Sequence, residues 1–144
     1  MKTEFVALVA VPGRPVAQGS MSAFVRGKRA VIMDQKSKTL KPWRKSIFLA
    51  TQKQIKSPLT GSVKVKMTFQ FLRPKNQLTT KLKPTREFKL FPHVKPDLDK
   101  LARAVLDGLT GAAFKDDAQV VSIDAIKTYG ESEGVYIVIE RVVK

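Results

Sequence analysis

The sequence predicts one α+β domain with a mixed, mainly antiparallel sheet of about five strands and two principal helices. Residues 61–72 alternate apolar and polar side chains, which is typical of a half-buried strand. Residues 98–109 repeat apolar side chains at helical spacing, which is typical of a helix packed on a core. The 144 residues, 43% of them hydrophobic, suffice for one core, so we expect a single domain over residues 1–144.

The other elements follow from local patterns and from turn residues. Strands are predicted at residues 4–11, 23–26, 29–33, 61–72, 118–127 and 135–142. One helix is predicted at residues 37–55, with Pro42 in its first turn. The second begins near Asp97 and ends at Gly108 and Gly111. The last two strands are separated by a short turn, so we expect them to pair antiparallel.

A long connection at residues 73–96 contains four prolines and, up to Lys89, six basic residues. Nothing in it repeats regularly, and long connections in compact domains are usually functional or mobile. We therefore expect a flexible basic arm near the functional site. His93 lies in this arm, four residues before Asp97, and both a surface role and a metal or general-base role are open for it.

Acidic residues concentrate in residues 95–117, which hold five of the twelve in the chain. Asp97 and Asp99 open the second helix, and Asp116 and Asp117 precede the strand at residues 118–127. The two pairs converge only if the chain folds back. Convergence would require a cation, because two like charges ~4 Å apart repel by about 4 kcal/mol at an effective dielectric of 20.

The ligand types indicate which cation this would be. Carboxylate oxygens are hard ligands, and the chain has no Cys and one His, so Mg²⁺, with Mn²⁺ as a substitute, fits better than zinc. A divalent ion held by Asp beside a basic side chain is the apparatus of phosphodiester hydrolysis. Arg103 lies one helical turn from Asp99 and offers that basic side chain.

A purely structural interpretation of the same residues also exists. Asp is common at helix caps and in turns, so each pair alone has a local explanation. Arg103 would then form an ordinary ion pair with Asp99 or Asp107. The occurrence of both pairs in a basic chain favours the metal site.

Residues 95–120, KPDLDKLARAVLDGLTGAAFKDDAQV, resemble the signature of the RusA family of Holliday-junction resolvases. That signature runs roughly K-P-D-x-D-N-L-x-K, then D-x-L-x-G, then D-D-x-Q-V. The segments PVAQGS at residues 15–20 and SKTLKPWRKS at residues 37–46 are similar to parts of actinobacterial and phage members.

The resemblance implies roles for individual residues. The family's metal-binding and catalytic aspartates fall on Asp97, Asp99 and Asp117, with Asp116 as a close neighbour. The family's catalytic lysine falls on Arg103. Lys100 stands where the family usually has Asn.

The resemblance also implies an activity. It is that of a Mg²⁺-dependent endodeoxyribonuclease that resolves four-way DNA junctions by paired symmetric nicks in recombination and repair. Two symmetric nicks need two sites, and this chain offers one, so a homodimer is expected. The alternatives are a nuclease for flaps, forks or other branched DNA, and a non-catalytic basic module that binds nucleic acid.

The net charge of +15 is unevenly distributed. Residues 1–96 carry 21 basic and 3 acidic side chains, and residues 97–144 carry 6 and 9. The first part is expected to hold DNA phosphates. Expected contacts are Arg26, Lys28 and Arg29 at the tip of a hairpin, Arg73, Lys75, Lys81 and Lys83 in the arm, and Lys95, Lys100 and Lys127. A solvated turn is the alternative for the hairpin tip.

Several classes of protein are not indicated by the sequence. It has no P-loop and no Gly-rich nucleotide fingerprint, so no nucleotide cofactor is expected. No apolar run approaches the ~20 residues of a membrane helix. The absence of Cys fits a reducing compartment, and we expect the cytoplasm of a bacterium or of a phage-infected cell.

Overall fold

The computed structural model describes the backbone of residues 1–19, 22–26, 29–33 and 37–144, and the side chains of residues 1–19 and 38–144. Within these ranges the elements are β1 (Lys2–Pro12), β2 (Ser22–Arg26), β3 (Arg29–Met33), α1 (Ser37–Gln54), β4 (Val63–Leu72), α2 (Leu98–Leu109), β5 (Val120–Gly130) and β6 (Gly134–Val143). The α+β class and the two principal helices are confirmed.

Four of the strands form one mixed sheet in the order β1-β6-β4-β5, and β2 pairs with β3 in a separate antiparallel ladder. β6 is antiparallel to both β1 and β4, whereas β5 is parallel to β4. The predicted mixed sheet is therefore confirmed, and its number of strands is corrected from about five to four. The expected hairpin strands are present but stand apart from it.

The expected antiparallel pairing of the last two strands is wrong, because β6 lies between β1 and β4. α2 connects β4 to β5, and a helical crossover of this kind joins parallel strands. The chain must then cross the end of β4 to reach β6. At Gly130, where the crossing begins, a Cβ would overlap the side chain of Gln70.

The core lies between the sheet and the two helices. The alternation in β4 is confirmed, since Val65, Met67 and Phe69 are buried against α1 and α2. Gly108 does not end α2 as expected but lies within it, where a Cβ would stand 2.9 Å from that of Ile47. Glycine thus allows the two helices to approach closely. Pro42 lies inside α1, beyond the first turn in which it was expected.

The strand directions give the sheet two distinct edges. β1, β4 and β5 point the same way, so their last residues, Pro12, Leu72 and Gly130, share one edge, which we call the carboxyl edge. The other is the amino edge. α1 and α2 lie side by side, since Arg44 forms an ion pair with Asp107. Both begin at the carboxyl edge, because Lys38 of α1 lines the same groove as Pro96, which contacts β5 just before α2.

The arm at residues 73–96 is folded beside β5, and its expected flexibility stays a prediction. Gln77 is 4% exposed, and its side chain accepts from the backbone N–H of Lys89 and donates to the hydroxyl of Tyr129. The guanidinium of Arg73 lies 4.4 Å from the ring centroid of Phe88 and 4.3 Å from that of Tyr129. These contacts anchor both ends of the arm beside β5.

Candidate functional site

Asp97 and Asp99 stand at the first turn of α2, on the carboxyl edge. Asp97 is the N-cap residue, but its side chain makes no capping hydrogen bond and lies 3.6 Å from Nζ of Lys100. The side chain of Asp97 is 48% exposed, and Asp99 is exposed as well. Both carboxylates are therefore accessible to a ligand at the carboxyl edge.

Lys127 of β5 holds this helix start in place. Its Nζ donates to the carbonyl oxygen of Val94 over 2.7 Å and to that of Pro96 over 2.9 Å. Sequence reasoning assigned Lys127 to DNA. The structure instead gives its ammonium group two main-chain partners just before Asp97, which is a positioning role.

Asp116 and Asp117 lie at the other end of α2. Asp116 caps a short 3₁₀ helix, Asp117–Gln119, by accepting from the backbone N–H of Ala118 over 2.9 Å. Gln119 ties this turn to the carbonyl oxygens of Leu59 and Gly61, next to the first residue of β4. Asp117 is exposed. Both acids therefore belong to the amino edge.

The structure does not bring the two acidic pairs together within one chain. The 12 residues of α2 separate them, which at 1.5 Å per residue is about 18 Å. In the described ranges no group of three His, Cys, Asp or Glu residues has metal-binding geometry. The assignment of Asp97, Asp99, Asp116 and Asp117 to a metal therefore stays a prediction.

Arg103 follows Asp99 by one turn of α2 and is exposed. Neither residue has an ion pair within the part of the chain that the structure describes. Asp107, the other candidate partner, pairs instead with Arg44 over 3.2 Å. The guanidinium of Arg103 is thus available to a ligand bound near Asp99.

An open groove of about 680 Å³ adjoins the start of α2. Its rim carries Arg14, Lys38 and Lys95, and its floor includes Trp43, which is 6% exposed and is confirmed as a core residue. Sequence reasoning missed Arg14 and Lys38 as candidate site residues. The available signal was their position, since Arg14 directly precedes PVAQGS and Lys38 is part of SKTLKPWRKS.

The other predicted DNA contacts fall into three groups. Arg26 and Arg29 end β2 and begin β3, but their side chains, and Lys28 altogether, lie outside the described residues. Arg73 is held between two rings, which gives it a structural role in the arm. The third group is exposed or half-exposed on the arm and on α2, and consists of Lys75, Lys81, Lys83, Lys95 and Lys100. His93 is exposed in the arm, and its role stays a prediction.

The protein combines a basic α+β fold with accessible carboxylates at a helix start, and lysine and arginine border these carboxylates. This combination is that of a protein whose site binds a polyanion. The chain belongs to the RusA family of endodeoxyribonucleases, because the family model described as Endodeoxyribonuclease RusA matches residues 12–140. The resemblance found in the sequence is thereby confirmed. Nuclease action on Holliday junctions is the activity of that family.

A relative in Bacillus subtilis (strain 168) is similar along almost the whole chain. This is the uncharacterized protein YqaN, which is 33% identical over 135 residues, covering 92% of this chain and 94% of that protein. No helix in the described part of the chain is long and apolar enough to cross a membrane.

Proposed function

We propose that the protein is a Mg²⁺-dependent, structure-specific endodeoxyribonuclease that resolves four-way DNA junctions by paired symmetric nicks and acts as a homodimer. The observation that carries the proposal is the pair of accessible carboxylates, Asp97 and Asp99, at the start of α2. Basic side chains of Lys95, Lys100 and Arg103 lie within six residues of them in the sequence. Family membership supports the nuclease activity itself.

The donors at this helix start fit a magnesium ion. Mg²⁺ usually takes one or two carboxylates and completes its shell with water and substrate phosphate oxygens. Asp97 and Asp99 offer two hard carboxylates on an open surface. When bound, the ion would activate water for attack and neutralise charge on the phosphate.

The remaining roles belong to residues of the chain. Arg103 is always protonated, so it cannot act as a general base and would stabilise the negative charge of the scissile phosphate in the transition state. Lys127 would keep Asp97 in register with the sheet through its bonds to Val94 and Pro96. Lysines of the arm would hold flanking phosphates.

The distance between the acidic pairs supports the homodimer. Asp117 lies beyond the far end of α2, too distant from Asp97 to join it in its own chain. A two-fold axis repeats every surface, so Asp117 of the partner subunit can complete a site that begins with Asp97 and Asp99. Two such sites per dimer would give the two symmetric incisions.

Nicking of a synthetic four-way junction with Mg²⁺, with Mn²⁺ and with EDTA tests the activity. We expect cleavage with either metal ion and none in EDTA. Asp97→Asn, Asp99→Asn and Asp117→Asn should each abolish nicking, while junction binding survives because phosphate contacts supply most of the affinity. Glu131→Gln, which removes an exposed acid from the β5–β6 turn, is the control. Equal rates for Asp117→Asn and the parent would refute the assignment of that residue.

Substrate choice and oligomeric state need separate measurements. Flaps and forks should be cut more slowly than the junction, and faster cleavage of either would replace the resolvase assignment with the other nuclease. Absence of any cleavage would leave the non-catalytic binding module. Sedimentation should show a dimer, free or on the junction.

Mixing two inactive variants tests the shared site. In a heterodimer of Asp97→Asn and Asp117→Asn chains, one shared site keeps both native residues and the other keeps neither. Nicking should therefore return when the two variants are mixed and allowed to exchange subunits. Subunit exchange without any recovered nicking would place each complete site within one chain.

A further inference from the structure

The tip of the arm has an unusual backbone conformation. Among the non-glycine residues that the structure describes, Leu82 is the one at positive φ, with a value of 60°. L-residues with large side chains seldom occupy this left-handed region, which glycine and asparagine tolerate better. The turn imposes this conformation through two hydrogen bonds. The N–H of Leu82 donates to the carbonyl oxygen of Thr79 over 2.9 Å, and the N–H of Thr79 donates to the carbonyl oxygen of Lys83 over 2.8 Å.

The same residue exposes a large apolar side chain. Leu82 is 77% exposed and stands between two exposed lysines, Lys81 and Lys83. Neither the exposure nor the backbone conformation favours folding, because burial would stabilise the side chain and glycine would suit the turn. A disfavoured local conformation that the surroundings enforce points to a functional constraint.

The turn is carried on a well-supported base. Leu78 and Pro84 bridge the two sides of the turn, and Thr85 donates its N–H to the carbonyl oxygen of Gln77 over 3.1 Å. Gln77 is itself buried against Tyr129 of β5. The arm leaves the sheet at Leu72 and returns just before Asp97, so both of its ends lie on the carboxyl edge. Leu82 is thus presented to solvent from the edge that bears the carboxylates.

We infer that Leu82 is a wedge that inserts between the stacked bases at the branch point of junction DNA, while Lys81 and Lys83 bind the adjacent phosphates. Apolar side chains, leucine among them, part base steps in several DNA-bending proteins. A branch point offers a step whose stacking is already interrupted. The inference rests on the proposed function for its substrate, a branched DNA, but not for the cleavage chemistry.

Fluorescence of 2-aminopurine placed at the branch-point nucleotides tests the wedge without cleavage. The base analogue brightens when it is unstacked, and measurement in EDTA prevents nicking. The parent protein should raise the emission on binding, and Leu82→Gly and Leu82→Asn should lose most of that rise. Both variants accept the left-handed conformation, so their melting temperatures should equal or exceed that of the parent.

Leu90→Gly is the matched control, because Leu90 is 70% exposed in the same arm but lies outside the turn at residues 79–83. It should leave the emission rise unchanged. In Mg²⁺, Leu82→Gly should also slow single-turnover nicking of the junction by about tenfold, as expected when an interaction specific to the distorted substrate is lost.

The outcomes separate this inference from the proposed function. A Leu82-dependent emission rise in a protein that never nicks DNA supports the wedge and refutes the nuclease. Nicking together with an emission rise that Leu82→Gly leaves intact refutes the wedge alone. The absence of any emission rise with the parent protein, at every branch-point position, also refutes it.

Discussion

Nζ of Lys127 lies 2.9 Å from the carbonyl oxygen of Pro96 and so ties the residue before Asp97 to β5. A second bond, to Val94, makes the lysine a clamp on the chain that enters α2. The position of the Asp97 carboxylate therefore depends on a residue thirty positions later in the sequence.

Lys127→Met should lower kcat for nicking more than it weakens junction binding, because the variant frees the chain before Asp97. Hydrogen bonds from a charged donor contribute about 1.5–3 kcal/mol, so stability should fall by about 1–3 kcal/mol after allowance for partial exposure. Steady-state kinetics measure kcat, a binding titration measures junction affinity, and thermal unfolding measures stability. Lys56→Met, at an exposed site after α1, is the control. A loss of affinity with unchanged kcat would instead indicate a phosphate contact.

Arg103→Ala should lower the single-turnover rate about tenfold or more, with affinity and stability little changed, because its guanidinium has no ion pair within the described residues. Arg103→Lys should recover much of the loss, since it restores the positive charge. Lys45→Ala removes the same charge from an exposed position of α1, away from both acidic pairs, and should have no such effect. An unchanged rate in Arg103→Ala would move the search for the catalytic cation to Lys100.

Junction binding should weaken steeply with salt, because each neutralised phosphate releases counterions and contributes about −0.9 to the slope of log K against log salt concentration. Lys81→Gln with Lys83→Gln should make that slope shallower by about two units. Lys2→Gln with Lys144→Gln, at the amino edge, removes the same charge as a control. Equal slopes for both double variants would remove the arm from the DNA interface.

Gly108→Ala should destabilise the protein although alanine is the better helix former. Helix propensity alone favours alanine by about 1 kcal/mol. The new Cβ, however, would stand 2.9 Å from Cβ of Ile47, and overpacking of this kind costs about 1–3 kcal/mol. Thermal unfolding measures whether the substitution lowers or raises stability. Gln52→Ala, on an exposed position of α1, should change stability by less than about 0.5 kcal/mol.

Local patterns in the sequence determined several elements of the fold, the family and the class of partner. The alternation in β4 reported its buried face, because neighbouring side chains of a strand point to opposite sides. Pro96 and Asp97 marked the start of α2, because the first disfavours a helix before it and the second suits a cap. The motif at residues 95–120 identified the family. The concentration of basic residues before Asp97 indicated that the protein binds a polyanion.

Tertiary structure alone decided which strands meet and in which direction. The short turn after Gly130 suggested a hairpin, but the crossover through α2 makes β5 parallel to β4 and sends the chain past β4 to β6. Residue spacing carries no information on such long-range pairing. The same topology sets Asp97 and Asp117 at opposite edges of the sheet and places Arg73 between the rings of Phe88 and Tyr129. Each of these arrangements depends on contacts between residues far apart in the chain. Such contacts contribute stability only once the sheet has assembled.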